Sequence, residues 1–131
     1  MGASRGPFEP EYSELPGQIP VFPLSGALLL PGGRLPLNIF EPRYLSMVRD
    51  VMAQPHRLIG MIQSRDDSED DKLFDVGCAG RISSYSETDD GRMLITLSGT
   101  SRFRLLDCDD GAAGYRLASV SWSEFKSELV P

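Results

Sequence analysis

The chain has 131 residues with 40% hydrophobic and 24% charged content. That is enough for one domain with a core of its own, and the composition is ordinary for a globular protein. A formal charge of −6 without any Lys/Arg run argues against a phosphate backbone as the main partner. No stretch approaches the roughly 18 apolar residues that cross a bilayer, and Cys78 and Cys108 are too few for a disulfide framework.

Residues 1–17 are rich in Gly, Pro and Glu without periodicity, which predicts a flexible arm, pinned at most through Phe8 or Tyr12. Glu9, Glu11 and Glu14 interrupt any apolar run there, so the segment does not read as a signal peptide and the expected compartment is the cytoplasm. Apolar content rises at Ile19. Ile19 to Leu24 reads as a strand, and Pro20 and Pro23, which cannot donate to a ladder, predict that it is an edge strand or an interrupted one. Leu28 to Gly33 (LLLPGG) is an apolar, turn-rich loop, and Leu35 to Phe40 a second strand. Pro42 suits the first turn of a helix. Tyr44, Met47, Val48, Val51 and Met52 then repeat on one helical face until Gln54-Pro55 ends it, giving a helix over 42–53.

The remainder reads as β. Arg57 to Gln63 is a short apolar strand and Ser64 to Lys72 a polar loop. Val76 to Tyr85 and Arg92 to Ser98 flank the turn signal Asp89-Asp90-Gly91, a hairpin. Met93, Ile95 and Leu97 alternate with polar positions, while Leu94 breaks the pattern as though it covered a second small core. Gly99 to Ser101 reads as a corner, Arg102 to Asp107 as a strand, Asp109-Asp110-Gly111 as another turn, and Ala118, Val120 and Trp122 as the inward positions of a last strand. One helix among six or so short strands, with long strands absent, predicts a small closed or pseudo-closed barrel.

The opening IPVFPLSGALLLPGGRLPLNIFEPRYLSM (Ile19 to Met47) closely resembles the start of the N-terminal substrate-binding domain of the Lon (protease La) family. That domain also occurs as stand-alone proteins and, diverged, in cereblon. RLIGMIQ (Arg57 to Gln63), FDVGCAGRI (Phe74 to Ile82) and GTSRFRLL (Gly99 to Leu106) follow in the family's order, so the resemblance covers about Ile19 to Trp122. It implies a mainly β fold with one helix, a PUA-like six-stranded pseudo-barrel spanning residues 18–122. Residues 123–131 would then begin a helical part that is otherwise missing. The implied function is polypeptide binding, because the family's ATPase and protease lie in other domains.

Catalytic signals are missing. No glycine is followed by the Lys-Ser/Thr of a phosphate loop, and the lysines, Lys72 and Lys126, sit in unpatterned polar context rather than beside a serine nucleophile. His56, after Pro55, has no orienting acid in view and reads as a solvent-exposed loop residue. The cysteines read as small core hydrophobes. Asp66 to Asp71 and Asp107 to Asp110 lack the ligand spacing of a calcium loop and read as solvated loops or turns. We therefore expect no enzyme, no metal and no cofactor.

The candidate binding residues are Leu28, Leu29, Leu30 and Pro31. They either close the core between two strands or form an exposed apolar patch that meets unfolded chain. Glu41, Arg43 and Tyr44 read as a local pairing that fixes the start of the helix. Arg81, Arg102 and Arg104 read as solvent-facing or cross-strand-paired positions. The expected partner is unfolded or partly unfolded polypeptide, with a protease or chaperone as recipient, and neither nucleic acid nor membrane. A PUA-like RNA-binding barrel is disfavoured by charge, and a small-ligand pocket by the single tryptophan, Trp122.

Overall fold

A computed structural model describes residues 15–24, 28–63, 75–111 and 114–129. Of the expected arm over 1–17, residues 1–14 lie outside the described residues, as does the polar loop expected over Ser64 to Lys72. Strands β1 (Gln18–Leu24) and β2 (Arg34–Ile39) lead into helix α1 (Pro42–Met52), followed by β3 (Leu58–Gln63), β4 (Val76–Glu87), β5 (Met93–Asp110) and β6 (Arg116–Ser121). A 3-10 segment, Ser123–Leu129, follows. The sheet order is β2-β5-β4-β3-β1-β6, and a further β5–β6 pairing closes β5, β4, β3, β1 and β6 into a ring, with β2 attached outside it. This is a pseudo-barrel, mainly β with one helix, as the sequence pattern predicts.

Long strands were not expected, yet β5 has 18 residues and β4 has 12. Bulges explain how such strands fit a small ring, because each inserts a residue and bends the chain. The predicted corner at Gly99 to Ser101 is a bulge within continuous β5: Ala79 pairs with Ser101 and Gly80 with Gly99, leaving Thr100 unmatched. Beyond the bend, β5 leaves β2 and pairs with β6 from Arg104 to Asp110. The turn expected at Asp109-Asp110-Gly111 therefore begins only at Gly111.

β1 is not a free edge. It runs antiparallel to β6 along Gln18 to Val21 and parallel to β3 along Val21 to Leu24. Each neighbour covers only half of the strand, so Pro20 and Pro23 each meet a single ladder and their missing donors are accommodated. Two apolar clusters fill the interior. The α1 face (Tyr44, Met47, Val48, Val51) packs with Leu29, Ile39, Ile59, Met61, Cys78, Ile82, Met93, Ile95 and Leu97. Ile19, Val21, Leu58, Ile62, Phe103, Val120 and Trp122 form the other. β3 contributes to both, which is why its sequence is apolar on both phases. Leu94, expected to cover a second core, is instead exposed on the outer face, opposite Asn38 and Ser86.

Polar bonds fasten the periphery. The Tyr115 hydroxyl donates to Asp50 Oδ2 at 2.6 Å, tying the start of β6 to α1. Trp122 Nε1 donates to the Pro16 carbonyl at 2.8 Å, holding the chain just before β1 against the end of β6. The 3-10 segment docks on β5 through Arg104 paired with Glu124 and Arg102 lying 4.8 Å from the Phe125 ring centroid.

Candidate functional site

The loop before β2 is built by its own sequence. Pro31 fixes φ at the second position of a turn and Gly32 supplies φ +79° at the third, the requirement of a type II turn. Gly33 N–H closes it on the Leu30 carbonyl at 2.8 Å. Gly32 N–H then donates to the Gly99 carbonyl at 2.9 Å and Gly99 N–H to the Gly33 carbonyl at 2.8 Å. The approach is so close that a Cβ on Gly99 would stand 2.0 Å from the Leu30 oxygen. Only glycine fits there, and the loop is therefore clamped onto the bend of β5.

This clamp separates the four candidate residues. Leu29 is 4% exposed and packs into the cluster with α1, beside Gly80. Leu28 and Leu30 are 66% and 55% exposed, and Pro31 is half-buried. The loop thus closes the core through one leucine and offers its two neighbours to solvent.

Immediately after β2, Phe40 is 63% exposed. Glu41 and Arg43 pair at 3.3 Å across the start of α1, and the Arg43 guanidinium lies 4.7 Å from the Tyr44 ring centroid. Tyr44 in turn packs on Phe22, with ring centroids 4.4 Å apart. Burial is the main cause that pushes the Tyr44 hydroxyl above its ordinary pKa, partly offset by Arg43. These groups fix where the helix starts, and Arg43 and Tyr44 are occupied in doing so.

The other side chains singled out in the sequence do not converge. His56 is half-buried in the bend after α1, Cys78 lies in the core and Cys108 is half-buried on β5. Burial raises the Cys108 thiol pKa, so it is not an activated nucleophile. Among the described residues no three His, Cys, Asp or Glu side chains gather as a metal site. Besides Leu94, the exposed apolar residues that no sequence signal marked as contacts are Phe40, Leu106 and, less fully, Tyr85. Phe40 was legible in principle: it shares the phase of Pro36 and Asn38, opposite to the inward Leu35, Leu37 and Ile39.

A family pattern described as the ATP-dependent protease La (LON) substrate-binding domain matches residues 18–129. The chain belongs to this family. Lon protease 2 of Sorangium cellulosum is 27% identical over 107 residues, covering 79% of this chain and 13% of that protein. Protein cereblon of Danio rerio is 30% identical over 105 residues, covering 78% and 24% respectively. A solved Lon N-terminal domain protein from Xanthomonas campestris superposes with a TM-score of 0.66 at 32% identity, over 80% of this chain and 59% of that one. The N-terminal domain of the Mycobacterium avium complex Lon protease shares the fold, with a TM-score of 0.65 at 14% identity. The chain thus spans a small part of its curated relatives. It corresponds to the Lon substrate-binding domain and not to the protease domain. No helix among the described residues is long and apolar enough to cross a membrane.

Proposed function

We propose that this Lon-type domain is a non-catalytic module that holds exposed apolar segments of unfolded or partly unfolded polypeptide. It would serve protein quality control in the cytoplasm by presenting such chains to a protease or chaperone. The observation that carries this reading is the clamped loop. Leu28 and Leu30, the two leucines that flank Leu29, stand in solvent on a backbone that Leu29 and Gly99 hold in place. Exposed apolar side chains on a rigid support lose little entropy on binding, which is what a reusable contact for passing chains requires.

A Leu28→Asp, Leu30→Asp double variant tests it against fluorescently labelled, reduced and carboxymethylated lactalbumin, a permanently unfolded polypeptide. The wild-type domain should bind with micromolar or weaker affinity. The variant should keep its melting temperature and lose binding. A folded variant that binds undiminished would remove the loop from the site.

A further inference from the structure

Every ring strand has neighbours on both sides for at least part of its length, but β2 pairs only with β5. Which backbone groups its other edge offers follows from the ladder. Gly99 donates to Gly33, and in an antiparallel pair the bonded positions alternate. Leu35, Leu37 and Ile39 accordingly turn their backbone groups to β5, and Arg34, Pro36 and Asn38 turn theirs away. Pro36 agrees independently, since a proline is tolerated in a strand where its nitrogen faces no ladder. None of these outward groups finds a partner among the described residues. Exposed apolar side chains flank the edge at both ends, Leu30 before it and Phe40 after it.

We propose that the free edge of β2 holds an extended polypeptide as an added strand, with Leu30 and Phe40 gripping its apolar side chains. This rests on the polypeptide-binding reading above and specifies how the chain would be held. Charge and geometry select the occupant. From Ile19 to Phe40 the sole charged residue is Arg34, so the strip suits an uncharged, apolar segment. A second copy of β2 is a poor match, because antiparallel self-pairing would set two prolines, both lacking a donor, into the new ladder. A foreign strand meets only one such gap. Backbone pairing reads no side chains, so the edge would accept many sequences, and the flanking apolar residues would bias it toward hydrophobic ones.

The test is hydrogen exchange of the whole chain, read by NMR, with and without carboxymethylated lactalbumin. The Arg34 and Asn38 amides should exchange rapidly in the free protein and become protected with the probe, while Leu35 and Leu37 are protected throughout. Asn38→Pro repeats at Asn38 what Pro36 already does, removing one outward donor without touching the β5 ladder. It should weaken binding by roughly two- to tenfold, the worth of one hydrogen bond, whereas Asn38→Ala, which keeps the N–H, should bind as wild type. If the probe binds without protecting Arg34 and Asn38, and Asn38→Pro binds normally, the edge proposal falls while the polypeptide-binding reading stands. If Asn38 is already protected in the free protein, and more so at higher concentration, a second copy occupies the edge and the proposal is wrong. If the probe does not bind at all, both fall.

Discussion

Adjacent leucines in one loop should behave oppositely. Leu29→Ala removes a side chain that is 4% exposed, wedged beside Gly80 in the cluster under α1. Leu30→Ala removes one that is 55% exposed. Burying a leucine contributes about 1.5–3 kcal/mol, and truncation adds the cost of whatever cavity the surroundings cannot refill. Refilling is restricted here, because the loop backbone is bonded to Gly99 on one side and closed by its own turn on the other. Leu29→Ala should therefore cost about 3 kcal/mol. At about 4 °C per kcal/mol for a domain of this size, its melting temperature should fall by about 12 °C. Leu30→Ala should stay within about 0.5 kcal/mol of wild type. Thermal and urea unfolding followed by circular dichroism read both. Equal losses, or a Leu29→Ala protein that melts with wild type, would refute the division of the loop into anchor and contact.

Gly99→Ala must push the loop away, since its Cβ would stand 2.0 Å from the Leu30 oxygen. We expect a loss of about 3 kcal/mol and displaced Gly32 and Gly33 amide resonances, with Gly17→Ala, which meets nothing within 4 Å, as the neutral control. Burial, then the bond to Asp50, pushes the Tyr115 pKa up to about 12. The native state thus favours the protonated phenol: its stabilisation is complete below the ordinary value of 10.0 and is lost as pH rises toward 12. Tyr115→Phe should cost about 1 kcal/mol at neutral pH and should flatten the decline of melting temperature as pH rises from 10.0 toward 12. An unchanged alkaline slope would show that the hydroxyl is not held by Asp50.

The helix was legible almost to the residue, because Pro42, a five-residue apolar face and Gln54-Pro55 all point the same way. Strand positions were legible too, through the alternation in Met93 to Leu97 and Ala118 to Trp122. Pairing was not. Nothing local in Ile19 to Leu24 says that two different neighbours each take half of it, so its prolines pointed equally to an edge strand and to an interrupted one. Gly99 likewise advertised a break in the chain, although its role is to let the Leu30 carbonyl lie on β5, a contact between segments almost seventy positions apart. The true edge, β2, also carries a proline, and only the register against β5 distinguishes it. Leu94 shows the same limit from the other side, since its exposure depends on which face of the sheet α1 covers.

The exposure of the apolar residues constrains how strongly such a domain could hold a chain. Leu28, Leu30 and Phe40 are each more than half exposed, so none of them is the buried aromatic anchor that gives tight interfaces their few dominant contacts. Full burial of each contributes at most about 1.5–3 kcal/mol, and ordering an unfolded segment removes several kcal/mol of whatever is gained. The remainder corresponds to micromolar affinity or weaker. A weak, side-chain-tolerant grip lets go readily, which suits a surface that samples chains and passes them on. Greater retention would have to come from several such domains engaging one chain, where linkage raises the effective concentration without any new contact. Tethering two copies through a flexible linker should then tighten binding to a long unfolded polypeptide by at least tenfold over the single domain, and leave binding to a segment too short to reach both copies unchanged.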